Sequence, residues 1–215
     1  MKIISVQDAV ALIPEGASLM VGGFMGVGTP ERLIDEIVRQ EKRHLTVIAN
    51  DTAMPGRGIG KLVTAGLLDR VVASHIGLNP ETQQQMIAGK IAVDLVPQGT
   101  LIERIRAGGF GLGGILTPTG VGTIVEEGKR KISVEGKDFL IETALRADFA
   151  LVQAFLADYT GNLTYALTAR NFNPIIAMAT DAVIVAAEHI VPVGVIAPDN
   201  VATPSPLVDY IVSNE

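Results

Sequence analysis

The chain has 215 residues, 48% of them hydrophobic and 19% charged. That balance excludes a disordered chain and supplies enough apolar material for a sizeable core. A net charge of −6, 4% aromatic residues and no Trp leave neither the basic face nor the stacking aromatics that nucleic-acid binding needs. Cysteine is absent. This removes disulfides, thiolate metal ligands and a Cys nucleophile, and it favours the cytoplasm. The N-terminal segment carries Asp8 inside its apolar stretch and breaks at Pro14, so no signal peptide is expected. The uncharged stretch Ala107–Val125 holds seven Gly and a Pro, too many for a membrane span. The mean hydropathy of +0.38 must therefore be hidden in a core or an interface.

In chain order, Ser5 followed by Asp8 reads as a capping-box-like helix start. A strand is predicted over Ser18–Val21, then a glycine loop, then a helix opened by Thr29-Pro30-Glu31 with Thr29 as cap. Strands follow at Leu45–Ala49 and Arg70–Ser74. Asn79-Pro80-Glu81 opens a helix that should stop at Gly89. Next come a strand at Ile91–Val96 and a helix over Leu101–Ala107. The stretch Ala107–Val125 is expected to be neither helix nor strand, with part of it buried near a subunit interface or the mouth of a site, the alternative being that it only covers its own sheet. Residues Lys131–Glu142 read as a hairpin turning at Glu135-Gly136. Strands at Phe149–Ala154 and Ala182–Ala187 complete the pattern. Near-continuous Val, Ile, Leu and Ala in these runs suits strands covered on both faces. The expectation is one α/β domain over 1–215, an open, mainly parallel sheet with helices on both faces and a small hairpin decoration. In such folds ligands sit beyond the carboxyl ends of the strands.

The segment Gly22-Gly23-Phe24-Met25-Gly26-Val27-Gly28 stands between a strand and a helix. Its glycines and the following helix N-terminus suit a carboxylate, a phosphate or a developing oxyanion. A tight turn that only packs helix on sheet explains them equally well. Gly109-x-Gly111-x-x-Gly114 follows a helix and so fails as a dinucleotide fingerprint, and no phosphate-binding G-x-x-x-x-G-K-[ST] occurs. His44, His75 and His189 are far apart, and no metal-ligand spacing is present, so no metal site is expected. His75 ends a strand and could lie at the functional edge, although a structural histidine is the commoner outcome. Two other strand ends carry neutral donors, Asn50 and Gln98. Turn and capping chemistry accounts well for Asp51 and Thr100 beside them, and less well for Gln98. No nucleophile with an adjacent base is visible.

These residues are familiar as a set. Gly16 to Pro30, with Asn50-Asp51-Thr52, Ser74-His75-Ile76-Gly77, Pro97-Gln98-Gly99-Thr100, Arg106-Ala107-Gly108-Gly109, Thr117 to Thr123 and Ala169 to Pro174, resembles the alpha-subunit signature of the 3-oxoacid (family I) coenzyme A transferases. Within that family the likeness is to the acetate/acetoacetate group. The likeness runs in order along nearly the whole chain, with Glu15 as a minor departure. It implies a glutamate that attacks an acyl-CoA thioester, forms an acyl-glutamyl anhydride and then a glutamyl-CoA thioester. The resemblance puts that glutamate in a Ser-Glu-Asn-Gly-like motif of a partner beta subunit. No such motif occurs here, and Ser213-Asn214-Glu215 does not match it. The same likeness implies that Gly22, Gly23, Phe24, Met25, Gly26, Val27 and Gly28 contribute to the CoA and substrate site, that Asn50 and Gln98 line the acyl pocket, and that Gln98 can serve an oxyanion. It further implies CoA thioester as substrate, no tightly bound cofactor, and a heterotetramer of two alpha and two beta chains. The rival readings are a single-chain sugar-phosphate isomerase, which needs its own base, and a ligand-sensing domain, which needs a DNA-binding segment.

Overall fold

The computed structural model describes residues 1–213; Asn214 and Glu215, part of the segment compared above, lie outside the described residues. The chain opens with β1 (Lys2–Ile4) and α1 (Val6–Ala11). Ser5 caps α1 as its sequence predicts: Oγ accepts from Asp8 N at 3.0 Å and donates to the Asp8 carboxylate at 2.7 Å. There follow β2 (Ser18–Val21), α2 (Glu31–Arg39), β3 (Leu45–Asp51), α3 (Gly60–Thr64), β4 (Leu68–His75), α4 (Pro80–Ile87), β5 (Ala92–Leu95) and α5 (Gln98–Gly109). The second half runs through β6 (Gly114–Thr117), β7 (Lys131–Val134), β8 (Lys137–Thr143), β9 (Ala147–Asp158), β10 (Leu163–Thr164), α6 (Asn173–Ile176), β11 (Thr180–Val191) and β12 (Tyr210–Val212).

The main sheet has the order β1-β12-β11-β9-β2-β3-β4-β5, every neighbouring pair parallel, with β10 antiparallel on β9. Alternation along the strands divides the core in two. Leu19, Val21, Val47, Ala49, Val71 and Leu151 face α1, α2 and α3 on one side. Met20, Ile48, Val72, Ala150 and Val152 face α5 and α6 on the other. Each large side chain fully buried this way contributes about 1.5–3 kcal/mol. Both faces being covered is the reason the strands read as apolar runs.

Several expectations need correction. The cap position of α2 is Pro30, with no side-chain bond, and Thr29 does not cap it. Helix α5 begins at Gln98, three residues before the expected start, and β3 and β4 run on to Asp51 and His75. Within Ala107–Val125, residues Gly114–Thr117 form a strand after all, so the decoration is a three-stranded sheet, β6-β8-β7. The glycine there serves the strand: a Cβ at Gly114 would stand 2.3 Å from the Glu142 carbonyl oxygen on β8. The hairpin itself is as predicted, with Glu135 and Gly136 both at positive φ, 50° and 76°, the pattern of a type I′ turn.

Candidate active site

Because β2, β3, β4 and β5 are adjacent and parallel, their carboxyl ends lie in a row. Asn50 and Asp51 close β3, Ser74 and His75 close β4, and Gln98 opens α5 just beyond β5. With Phe24, Met25 and Leu78 these residues line a cavity of about 200 Å³. Four of the residues singled out by resemblance, Phe24, Met25, Asn50 and Gln98, thus meet in one place. His75 joins them.

Asn50 is 2% exposed and sits at the centre of a hydrogen-bond network. Its Oδ1 accepts from Gln98 Nε2 at 2.5 Å and from Ser74 Oγ at 3.1 Å. Its Nδ2 donates to Asp51 Oδ2 at 2.7 Å. Ser74 Oγ also donates to the Asn50 carbonyl at 2.7 Å. The Asp51 carboxylate accepts from Met25 N at 2.9 Å and from Ala53 N at 2.7 Å. Asp51 and Ser74 were not singled out as site residues; Asp51 carried only a turn signal. That signal is real, since the Ala53 bond is an Asx turn, but the same side chain also reaches the glycine loop.

The glycine loop is not an open anion cradle. Its amides are mostly satisfied within the chain: Gly22 N donates to Leu151 O, Gly23 N to Asn171 Oδ1, Phe24 N to Val27 O and Val27 N to Phe24 O. The glycines are small because the chain's own atoms crowd them. A Cβ at Gly22 would lie 1.8 Å from Asn173 Oδ1, at Gly23 2.1 Å from Thr29 Oγ1, and at Gly28 2.8 Å from Ala169 Cα. At Gly26 it meets the flexible Arg57 side chain. The side chains of Phe24, Met25 and Val27 remain exposed. Gly28 instead borders a separate cleft of about 350 Å³, with Thr29, Glu31, Arg32, Gln153 and Glu188. Gly22, Gly23, Gly26 and Val27 line neither cavity.

The other two histidines are elsewhere. His44 faces Asp69 at 3.1 Å, and His189 packs edge-on against Phe155 with ring centroids 5.5 Å apart. Asp51, the one carboxylate among the described residues that line the cavity, is 6% exposed and engaged by three N–H groups, a poor disposition for a nucleophile. The cavity therefore offers neutral donors and apolar walls, the equipment to hold an acyl group and stabilise developing negative charge.

Residues 3–214 match the model of the Coenzyme A transferase family. The chain belongs to the coenzyme A transferase family. It is 52% identical over 214 residues to the acetate CoA-transferase subunit alpha of Escherichia coli (strain K12), covering 100% of this chain and 97% of that one. Identity to the acetoacetyl-CoA:acetate/butyrate CoA transferase alpha subunit of Clostridium acetobutylicum is 46%, covering 98% and 97%. Among solved structures, an acyl-CoA transferase of E. coli O157:H7 in a thioester complex with CoA has a TM-score of 0.87 at 26% identity, over 99% of this chain and 47% of that one. This coenzyme A transferase chain thus spans about half the length of that acyl-CoA transferase. Glutaconate coenzyme A-transferase of Acidaminococcus fermentans shares the fold, with a TM-score of 0.86 at 19% identity over 99% and 75% of the two chains. The isomerase and ligand-sensor readings fall to these matches. Among the described residues of the transferase chain, no helix is long and apolar enough to cross a membrane, and no group of three or more His, Cys, Asp or Glu is placed to hold a metal ion.

Proposed function

We propose that this chain is the alpha subunit of a CoA-transferase that moves coenzyme A between a short-chain acyl-CoA (acetyl-, butyryl- or acetoacetyl-CoA) and a short-chain carboxylate. The observation that carries the reading is the full-length 52% identity to an acetate CoA-transferase alpha subunit. The cavity supports it: about 200 Å³ between Phe24, Met25 and Leu78 suits a small acyl group, with Asn50 and Gln98 as its polar end. A beta subunit supplies the glutamate. Its carboxylate attacks the thioester carbon and expels CoA thiolate, leaving an acyl-glutamyl anhydride. The thiolate attacks the glutamyl carbonyl and releases the first carboxylate, which gives glutamyl-CoA. The acceptor carboxylate then reverses both steps and leaves as the new acyl-CoA, restoring the glutamate. In this chain, Gln98 keeps one Nε2 hydrogen for the oxygen that gains charge. The Gly22–Gly28 loop shapes the wall of the site through Phe24 and Met25. CoA thioester is substrate here, and the assembly is an α2β2 heterotetramer in the cytoplasm, with no tightly bound cofactor.

The test is reconstitution. The chain alone and the chain co-expressed with its beta partner are assayed for exchange between acetoacetyl-CoA and acetate. Turnover is expected from the pair only, and robust turnover from this chain alone overturns the reading.

A further inference from the structure

We infer that Asp51 is a positioning residue for the Asn50–Gln98 pair, setting which end of each side-chain amide faces the cavity. The inference rests on the transferase reading above. Asp51 Oδ1 accepts from Ala53 N, while Oδ2 accepts both Met25 N at 2.9 Å and Asn50 Nδ2 at 2.7 Å. A carboxylate that already receives backbone N–H groups can only accept. The Asn50 atom turned towards it must therefore be nitrogen, and the Asn50 oxygen must turn the other way. There it meets Gln98 and Ser74. Gln98 in turn has to approach Asn50 with its own nitrogen, which commits one Nε2 hydrogen and leaves the second for the cavity. The same carboxylate oxygen holds the amide of Met25, 26 residues earlier in the chain and itself at φ 51°. One buried group thus ties the loop wall to the amide pair. Networks of this kind, with each member satisfied, hold one geometry.

The three bonds separate two roles. The Ala53 bond is the local turn; the bonds to Met25 and Asn50 are not. Two substitutions divide them. Asp51→Ser keeps a short oxygen able to accept from Ala53 N but is too short to reach Met25 and Asn50. Asp51→Asn can place its single acceptor oxygen on Met25 N and Asn50 Nδ2 and give up the Ala53 bond. In the assembled enzyme, Asp51→Ser is expected to lower kcat about 10- to 100-fold with KM within about threefold, and Asp51→Asn to lower it about fivefold less than Asp51→Ser does. In a Gln98→Ala background, Asp51→Ser should cost less than about threefold, because the group it orients is gone. A wild-type Asp51→Ser enzyme, an Asp51→Asn enzyme worse than Asp51→Ser, or equal costs in both backgrounds overturns the assignment. If the wild-type pair shows no exchange at all, the functional reading fails instead. A crystal structure of the Asp51→Ser chain then decides the positioning on geometry: loss of the Asn50–Gln98 bond supports it, and an unchanged bond overturns it.

Discussion

Thr29 Oγ1 stands 2.1 Å from the point where a Cβ on Gly23 would lie, and Gly23 has a φ of +123°. The second glycine of the loop is thus required by its own chain, both for conformation and for space. Gly23→Val is expected to destabilise the fold by about 2–5 kcal/mol, combining strain at a glycine-only φ with a steric conflict in a buried turn. Denaturant unfolding of the chain measures it. Thr29→Ala added to Gly23→Ala should recover part of the loss by removing Oγ1, while the φ penalty stays. A Gly23→Val chain of wild-type stability that loses only activity would show that the ligand, not Thr29, needs the space.

Gln98 is the donor expected to act on developing charge. Gln98→Ala should lower kcat by about ten- to a thousandfold, with acyl-CoA binding changed far less, because the interaction strengthens as the oxyanion forms. Steady-state kinetics of the assembled enzyme decide it. Wild-type turnover would reduce Gln98 to a residue that only satisfies Asn50, and a pure KM effect would make it a substrate-positioning group.

How much of this was legible in advance depends on the range of each signal. The six apolar runs became strands of the parallel sheet, and for all but the edge strand β5, which is half-exposed, this is because burial on both faces writes itself into consecutive residues. Strands β1 and β12 are three residues each, too short to show any period. Strand β6 was hidden in a glycine-rich stretch, and the one glycine within it, Gly114, serves the close approach to β8, a contact made across the fold. The same holds at the site. Asn50 and Gln98 emerged from strand ends and resemblance, but Asp51 looked like a turn residue, because its bond to Met25 joins positions 26 apart. For the glycine loop, composition could not separate a ligand cradle from packing, since Asn173 and Ala169 crowd it from elsewhere in the chain.

Asp158 predicts an acid-sensitive hairpin. Burial pushes its carboxyl up, but hydrogen bonds from Asn162 and Thr160 outweigh this and hold it below its ordinary value. Both oxygens are engaged, Oδ1 by Thr160, Gly161 and Asn162 and Oδ2 by Asn162 Nδ2. A carboxyl depressed in the folded state contributes stability above its unfolded pKa and loses it as pH falls through the folded value. Asp158→Ala should therefore cost about 2–3 kcal/mol at pH 7. The gap from wild type should narrow as pH falls below about 4, the ordinary aspartate range. Urea unfolding at a series of pH values checks this. A mutant–wild-type difference independent of pH would assign the effect to packing alone.

The last prediction concerns assembly. Around the small sheet, Phe110, Leu112, Leu116 and Ile124 are exposed, Leu112 by 58% and Ile124 by 79%, on a chain with only 19% charged residues. A run of exposed apolar side chains within one uncharged stretch marks a contact surface more readily than scattered ones do. The expectation is that this surface is covered in the proposed α2β2 assembly. Ile115 lies within β6 and is half-buried, so replacing it would disturb the strand as well as any contact. Leu112→Glu and Ile124→Glu are the cleaner probes. Each should leave the chain folded and shift the co-expressed pair to a smaller species on gel filtration. If both variants still form the full assembly with normal exchange activity, this surface is not a subunit contact. If the wild-type pair itself runs as a single αβ unit at micromolar concentration, the tetramer is wrong as well.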